Sequence, residues 1–295
     1  MRVIEPRLHP PKNKPKRQSR LSENQRKALF ITALVFISLG FLTWLTDRHP
    51  ELSIWSTITG QSHETAAQTT QEPKTIQNFT AEQFKSLYGT FAYPNIQEIT
   101  TPPAITASPA ADRRIRELAE KRGYTLRSVP VAPISKVDEP NLEGDDLLQP
   151  LALSAWQDLK AAAAKDKVPL RLLSAYRPIN YQRDLFSQRL SVAGAYVVDI
   201  GNGLADDKVT QVLSMTAPPG YSRHHTGYTI DLACYPNGGF MEFAKSSCYT
   251  WLSKDNYRVA KEHGWIPSYP EGADKQGPEP EPWEYVWVGR DAVIR

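Results

Sequence analysis

The strongest constraint on this chain is an uncharged, apolar run at residues 28–45 that directly follows a basic block. A helix of that length, at about 1.5 Å per residue, spans about 27 Å, which is close to the hydrocarbon thickness of a bilayer. Residues 1–27 carry nine Lys and Arg against two Glu, and such positive charge is retained on the cytoplasmic side. We therefore expect a basic cytoplasmic tail at 1–27 and a single transmembrane anchor at 28–46, with the remainder outside the cytoplasm.

A cleaved signal peptide is the main alternative to this anchor. The sequence TDRHPELS after the apolar run offers no small-residue cleavage site, so an uncleaved, single-pass protein of the cell membrane is favoured. A nucleic-acid partner is not expected, because the basic residues are concentrated in the tail and the rest of the chain is near neutral to slightly acidic. No obligate protein partner is evident either.

Beyond the anchor, a polar segment precedes a region with the composition of a folded domain. Residues 47–78 are rich in Thr, Gln, Ser and Glu without apolar periodicity, which is typical of a flexible stalk. Residues 79–108 predict a short helix with Thr80 as its N-cap, followed by a Pro-rich connector. Residues 109–295 are expected to form one domain, since 40% hydrophobic residues suffice for a core.

The apolar periodicity of this region predicts an α+β fold. Helices are predicted at 79–91, 111–122, 148–166, 179–190 and 251–263, and strands at 170–173, 228–233 and 283–288. Residues 199–221, which contain several Gly and Pro, are predicted to form an irregular connection. Because helices and strands are interspersed without regular βαβ alternation, α+β is the expected class.

Two cysteines, Cys234 and Cys248, lie in the region expected outside the cytoplasm. An oxidising compartment permits a disulfide between them, which would close a loop of about 15 residues and add about 3 kcal/mol of stability. Two free buried thiols are the alternative. The spacing does not fit a zinc knuckle and the chain has no CxxC, so metal binding by cysteine is not expected.

The segment PPGYSRHHTGYTIDL carries the first residues suited to chemistry. It places His224 seven positions before Asp231, with Gly227 between them, so an imidazole and a carboxylate could reach one metal ion. Taken alone, this spacing is more typical of a hydrogen-bonded scaffold, because buried polar groups generally find partners.

Two further segments favour a functional site over a hydrogen-bonded scaffold. LLSAYRPINYQRDLF places Arg177 at the end of a predicted strand, backed by Gln182, and a guanidinium can grip a carboxylate or a polarised carbonyl in two places. In EPEPWEYVWVG, prolines on both sides of Glu281 hold a carboxylate in the fixed position that a general base needs. The alternatives are a salt bridge for Arg177 and an acidic, Pro-rich loop for Glu281.

Together, the three segments resemble the zinc D-alanyl-D-alanine carboxypeptidases of the VanY type. The family pattern is S-x-Y-R, then S-x-H-x-x-G-x-A-x-D, then E-P-W-H-x-R-Y-V-G. This chain has SAYR at 174–177, SRHHTGYTID at 222–231 and EPWEYVWVG at 281–289, in the same order. The resemblance covers roughly residues 109–289 and implies a small antiparallel sheet flanked by helices.

The resemblance also implies a cofactor, a substrate and residue roles. One Zn²⁺ per chain would be held by His224, Asp231 and the residue at 284, and the substrate would be a peptidoglycan stem peptide ending in D-Ala-D-Ala. Glu281 would be the general base, and Arg177 would contact the oxygen of the scissile bond. The substrate-binding residues so implied are Ser222, Arg177, Tyr176 and Gln182.

The chain departs from the family pattern at three positions, of which Glu284, in place of the third zinc-binding His, matters most. Val286 and Thr229 replace an Arg and an Ala. Glutamate can bind zinc at about 2.0–2.2 Å, but two carboxylates cancel the charge of the ion and make the site less electrophilic. Harder oxygen ligands would also shift the metal preference away from zinc.

Two other histidines are weaker candidates for the metal. His225 is the immediate neighbour of His224 and is expected to point away from it. His263 is expected to be a packing residue.

Two functions follow from these features. In the first, the protein is a membrane-anchored metallo-carboxypeptidase that removes the terminal D-alanine, using His224, Asp231 and Glu284 as metal ligands. In the second, the domain has lost its metal and only binds peptidoglycan stems as an anchoring or regulatory module. The presence of Glu281 favours the first, because a site without catalysis has no chemical need for a base.

Overall fold

The computed structural model describes residues 75–132, 134–139, 147–235 and 240–295. The predicted tail, the predicted anchor at 28–46 and most of the predicted stalk lie outside the described residues. Among the residues that are described, no helix combines the length and apolar character needed to cross a membrane.

Helices and strands are interspersed along the described chain, which confirms the α+β class. The helices are α1 (Ala81–Thr90), α2 (Pro109–Lys121), α3 (Pro150–Lys165), α4 (Ile179–Val192), α5 (Val197–Gly201), α6 (Asp206–Leu213), α7 (Phe240–Phe243) and α8 (Ser247–Glu262). The strands are β1 (Ile96–Glu98), β2 (Ser128–Pro130), β3 (Ser135–Lys136), β4 (Leu147–Leu148), β5 (Leu170–Ser174), β6 (Thr229–Cys234), β7 (Trp265–Tyr269) and β8 (Glu281–Trp287). Short 3₁₀ turns cover Arg223–Thr226 and Arg290–Ala292.

An antiparallel sheet with the strand order β5–β6–β8–β7 forms the centre of the fold. In the register of β6 and β8, Asp231 lies opposite Glu284. On the other side of β6, Ser174 of β5 also lies opposite Asp231. The small antiparallel sheet expected from the resemblance is therefore present, and it brings the three motif segments onto neighbouring strands. Two-stranded pairs, β1–β2 and β3–β4, lie apart from it.

Helices pack on this sheet or on one another through their apolar faces. Trp156 and Leu159 of α3 are buried in one hydrophobic cluster with Leu172 of β5 and Ile230 of β6. A second cluster joins the buried faces of α2, α4 and α6. A third joins α1 to β7 and β8. Burial of apolar surface at about 25 cal/mol per Å² is the main stabilising contribution in each cluster.

The irregular connection predicted at 199–221 is wrong, because α5 ends and α6 lies within it. Val209, Val212 and Leu213 of α6 are all buried, which is the spacing of one helix face. Helices this short are marginal in isolation and form only where packing stabilises them. The Gly and Pro residues around α6 masked its apolar periodicity in the sequence, so this helix was not predicted.

Strand β7 is absent from the predicted elements, although all five of its residues are buried. Pro267 lies in its middle and argues against a central strand. The structure accommodates Pro267 because β7 is at the edge of the sheet, where one side of the strand needs no ladder hydrogen bonds.

The predicted helix at 251–263 begins earlier, at Ser247, and is interrupted within α8. Asp255, Asn256 and Tyr257 have left-handed backbone angles, with φ of 51°, 57° and 61°. The Asn256 side chain explains part of this path, because it accepts a hydrogen bond from the Phe79 amide at 2.8 Å and donates one to the Phe79 carbonyl at 2.8 Å. The break thus fastens the chain just before α1 to the sheet-bearing part of the fold.

The segment that precedes residue 109 packs on the same sheet. The Thr75 amide donates to the Arg295 carbonyl at 2.7 Å and the Gln77 amide to the Val293 carbonyl at 3.0 Å. Phe84 and Tyr88 of α1 are buried in the cluster that includes β7 and β8. Thr80 caps α1 as predicted, with a reciprocal hydrogen bond to Gln83.

The two cysteines form a disulfide. Cys234 at the end of β6 is joined to Cys248 in the first turn of α8. The alternative of two free thiols is therefore wrong. The bridge ties α8 to the strand that carries Asp231.

Candidate active site

A cavity of about 510 Å³ opens where β5, β6 and β8 meet the segment after β5. It is lined by residues from all three motif segments. Of the residues predicted for the site, those in its lining are Arg177, Ser222, Asp231, Glu281 and Glu284. A concave site with an apolar wall and a few convergent polar groups is typical of a small-ligand site.

The strand register places the two candidate carboxylate ligands beside each other. Asp231 and Glu284 are direct neighbours across β6 and β8, and both are buried. Like charges in this arrangement repel each other unless a cation lies between them. The pair therefore requires positive charge at this point, which Arg177, a proton on His224 or a bound cation can supply.

A 3₁₀ turn brings His224 to the same point. The turn begins after Ser222 and ends at Gly227, whose φ of 75° is a left-handed conformation that glycine adopts readily. The Nε2 atom of His224 lies 3.3 Å from Asp231 Oδ1 and 3.3 Å from Glu284 Oε2. One donor atom from each of the three residues lies within 4.8 Å of the other two.

The hydrogen bonds of His224 leave its inner nitrogen free to coordinate. Nδ1 lies 2.6 Å from the Ala175 carbonyl oxygen, which can only accept, so Nδ1 carries the proton and Nε2 presents a lone pair. Within the described part of the chain, the buried atoms His224 Nε2 and Asp231 Oδ1 have no hydrogen-bond partner. One imidazole nitrogen and two carboxylate oxygens match the donor types that zinc takes, so these residues fit a divalent cation.

The pKa of His224 is raised by the negative charge of the two neighbouring carboxylates. Burial lowers its pKa, but the Asp231 charge and the contacts with Asp231 and Glu284 outweigh this and raise it to about 9. Without a cation, a proton at Nε2 would take its place between the two carboxylates.

Glu281 lies at the start of β8 and faces the same cavity. Burial, followed by repulsion from Glu284 and Asp231, raises its pKa well above the usual 4.5. Burial also opposes ionisation of Glu284, but hydrogen bonding and attraction to His224 outweigh it and lower its pKa. The two neighbouring carboxyls are therefore differentiated, with Glu284 ionised and Glu281 prone to take up a proton.

Arg177 bounds the cavity beside Asp231. Its Nη2 donates to Ser174 Oγ at 3.2 Å and to Asp231 Oδ2 at 3.3 Å, and its Nη1 donates to Gln182 Oε1 at 3.2 Å. Gln182 is fully buried and donates to the Ala217 carbonyl at 2.6 Å. Gln182 therefore orients Arg177 and does not itself line the cavity, which differs from its predicted place among the substrate-binding residues.

Of the two other residues predicted to bind substrate, Ser222 lies at this cavity and Tyr176 does not. Ser222 lines the cavity and is buried. Tyr176 instead lines a second, more open surface cavity together with Pro178 and Ile179.

Neither of the other two histidines of this region joins the cluster. His225 Nδ1 contacts the Arg177 carbonyl at 2.6 Å, and its Nε2 accepts from the Gly220 amide at 3.0 Å. Burial lowers the pKa of His225 to about 4, so it is a neutral scaffold residue that points away from the cluster, as expected. His263 ends α8 and is absent from the metal-ligand cluster.

Two serines at the site were not predicted to contribute to it. Ser174 stands in the first motif and binds Arg177, so the motif itself was the available signal. Ser268 donates a hydrogen bond to Glu284 Oε1 at 2.5 Å. It lies on β7, which was not predicted, so no sequence signal connected it to Glu284.

Comparison with known proteins agrees with the motifs. Residues 145–290 match the family model VanY, D-alanyl-D-alanine carboxypeptidase. The D-alanyl-D-alanine carboxypeptidase of Enterococcus faecalis (strain ATCC 700802 / V583) is 27% identical over 140 residues, which are 47% of this chain and 47% of that protein. The chain thus matches about half the length of this curated relative.

Two solved structures also match part of this chain. VanYB in complex with D-alanine-D-alanine is 23% identical, with a TM-score of 0.41, over 56% of this chain and 84% of that one. A mutant of the vancomycin resistance D,D-pentapeptidase VanY in complex with Zn(II) is 22% identical, with a TM-score of 0.40, over 58% of this chain and 91% of that one. On the evidence of the family match and the ordered motifs, residues 145–290 of this chain belong to the VanY family of D-alanyl-D-alanine carboxypeptidases.

Proposed function

We propose that this protein is a metal-dependent carboxypeptidase that removes the terminal D-alanine from peptidoglycan stem peptides. The observation that carries the proposal is the convergence of His224, Asp231 and Glu284 on one point, with two of their buried polar atoms unpartnered. The same cavity presents a carboxyl suited to proton transfer and a guanidinium suited to binding negative charge. Together they supply the groups that hydrolysis of a peptide bond requires.

One divalent cation per chain, Zn²⁺ in the first instance, would be held by His224, Asp231 and Glu284. Such a cation acts as a Lewis acid that polarises a carbonyl and makes water a better nucleophile near neutral pH. The imidazole and the two carboxylates account for three ligands, which is the number that catalytic zinc sites take from the protein.

Glu281 is proposed as the general base. Its raised pKa allows it to take a proton from the attacking water and to return that proton to the amine of the departing D-alanine. Neighbouring Glu284 is the weaker base, because its contacts with His224 and Ser268 lower its pKa.

Arg177 and Ser222 are proposed to bind the substrate. The guanidinium of Arg177 is held in place by Ser174 and Gln182, so it can stabilise negative charge that develops on the carbonyl oxygen without reorganising. The hydroxyl of Ser222 would donate a hydrogen bond to the terminal carboxylate of the substrate. Tyr181, Leu185 and Met215 add an apolar wall to the cavity, against which the stem peptide would lie.

The alternative of a metal-free module that only binds stems is not favoured. Such a module would have to offset the buried Asp231–Glu284 pair with Arg177 and a proton on His224 in place of a metal ion. Retaining Glu281 beside that pair would add a third carboxyl at a further cost in stability.

The test measures metal content and product together. The purified 295-residue chain should hold close to one equivalent of divalent metal after dialysis and release D-alanine from a stem pentapeptide. Glu281→Gln should lower kcat by about 10²–10⁴-fold and retain the metal. Glu279→Gln, which removes a neighbouring and exposed carboxylate of the cavity rim, is the matched control. A folded wild-type protein without metal, or equal turnover by wild type and Glu281→Gln, would refute the proposal.

We further propose that residues 28–46 anchor the protein in the cell membrane, with the tail cytoplasmic and the peptidase domain on the outer side. The Cys234–Cys248 disulfide supports this, because disulfides persist in oxidising compartments. Protease added to intact spheroplasts should remove the domain and leave a protected N-terminal fragment. Protection of the whole chain until the membrane is permeabilised would contradict this orientation.

A further inference from the structure

Glu284 is one of the three positions at which this chain departs from the family pattern, and its two carboxylate oxygens have different partners. Oε1 accepts a hydrogen bond from Ser268 Oγ at 2.5 Å. Oε2 lies 3.3 Å from His224 Nε2 and faces the candidate cation position. Because Ser268 occupies one oxygen, only the other is turned toward His224 and Asp231.

The direction of the Ser268 hydrogen bond is determined by Arg223. Nη1 of Arg223 donates to Ser268 Oγ at 2.9 Å and also to the Ser268 carbonyl. Since the guanidinium can only donate, it occupies a lone pair of the serine hydroxyl and leaves the hydroxyl proton for Glu284. Ser268 therefore acts as a fixed donor to the carboxylate.

Arg223 is itself held between two aromatic rings. Its Cζ atom lies 4.0 Å from the ring centre of Tyr88 and 3.9 Å from that of Tyr269. Both rings are buried, so the cation–π attraction acts where water does not compete. Tyr88 belongs to α1, which lies outside the region that matches the family.

We propose that Ser268, Arg223 and Tyr88 are positioning residues that make Glu284 a one-oxygen metal ligand. This inference rests on the proposed function, because it assumes that Glu284 binds the cation. The chain of contacts runs from α1 through Arg223 and Ser268 to Glu284, so the helix that precedes the family domain contributes to the metal site. The positive charge of Arg223 also offsets the additional negative charge that a carboxylate brings at a position where the family has a neutral imidazole.

Zinc affinity tests this arrangement directly. Competition with a chelator at constant pH, using the purified 295-residue chain, should show that Ser268→Ala weakens zinc binding by about 10- to 100-fold, the usual effect of losing a residue that orients a ligand. Ser268→Thr retains the hydroxyl and should bind within about threefold of wild type, well short of that loss. Ser253→Ala removes a hydroxyl that bonds only to the Tyr249 carbonyl and serves as the control.

Variants built on Glu284→His test whether the effect of Ser268 on zinc affinity passes through Glu284 or reflects a general loss of structure. In Glu284→His there is no carboxylate for Ser268 to hold, so adding Ser268→Ala should leave zinc affinity unchanged. At the other end of the contact chain, Tyr88→Leu should weaken zinc binding, while Tyr88→Phe, which keeps the ring, should not. The unfolding temperature of each metal-free variant shows whether the fold is retained.

The outcomes distinguish this inference from the proposed function. If wild type binds one zinc and Ser268→Ala binds it equally well, the positioning role is refuted and the proposed function stands. An equal loss on adding Ser268→Ala to wild type and to Glu284→His also refutes it, because the effect would not pass through Glu284. A wild-type protein that binds no metal refutes both.

Discussion

Asp231 and Glu284 are direct cross-strand neighbours on β6 and β8, and both carboxylates are buried. The Nε2 atom of His224 lies 3.3 Å from one oxygen of each of them. Two buried carboxylates that face each other require positive charge between or beside them, and Arg177 and a proton on His224 supply it when no metal ion is bound. The register of two antiparallel strands thus creates the demand for a cation that the proposed activity uses.

Removing one of the facing charges should affect the metal-free and metal-bound protein differently. We expect metal-free Glu284→Gln to unfold at a lower temperature than metal-free wild type, because the variant loses the contacts of the ionised carboxylate with His224 and Ser268, which lower the pKa of Glu284. It should lose most of the zinc-dependent stabilisation, which is about 4 kcal/mol at a zinc concentration of 1,000 times Kd. Thermal unfolding with zinc and with chelator measures both effects. A full zinc-dependent shift in Glu284→Gln would show that Glu284 is not a ligand.

Arg177 should contribute to turnover rather than to metal binding. Arg177→Gln removes the cation that faces the developing negative charge, and kcat should fall by about 10²–10³-fold with the metal retained. Arg177→Lys should recover little, since a single ammonium cannot contact Ser174, Asp231 and Gln182 together. Arg183→Gln on α4, the helix that follows Arg177, is the control, because its exposed guanidinium contacts Ala104 and Asn180. An Arg177→Gln enzyme with normal kcat would exclude the proposed role.

The buried Lys261 should make stability rise with pH. Burial lowers its pKa from 10.5 to about 8, although Nζ donates to the Gln77 carbonyl and to Asn256 Oδ1. Between about pH 8 and 10.5 the unfolded chain binds more protons at this residue than the folded chain, so the free energy of unfolding increases with pH in this window. Unfolding temperatures from pH 8 to 10 should rise in wild type relative to Lys261→Met. Parallel pH profiles would contradict the shift.

The disulfide should stabilise the domain without taking part in catalysis. Replacing both Cys234 and Cys248 by Ser frees a loop of about 15 residues and should cost about 3 kcal/mol, which corresponds to a fall of about 6–12 °C in Tm. Differential scanning calorimetry measures the fall. Reductant should lower the Tm of wild type to that of the double variant and leave the double variant unchanged. If reductant also lowers the Tm of the double variant, the effect has another origin.

The sequence predicted the longest elements and the chemistry of the cavity. Helices α3 and α4 lie close to their predicted ranges because each carries a strong local pattern. Helix α6 and strand β7 were not predicted, since one is too short to form alone and the other contains Pro267. Among the site residues, His224, Asp231 and Glu284 converge, whereas Tyr176 lies at another cavity and Gln182 behind Arg177.

The sequence alone determined which groups are available, because motif order and residue type identify an imidazole, three carboxyls and a guanidinium in three segments of a VanY-family chain. Only the tertiary structure decided how those groups are used. Strand register sets Asp231 against Glu284, and the contacts of Glu284 with His224 and Ser268 separate its lowered pKa from the raised pKa of Glu281. The support of Glu284 by Ser268, Arg223 and Tyr88 joins residues as much as 196 positions apart in the sequence. Local sequence preferences carry no information about such contacts, since these arise only when distant segments pack together.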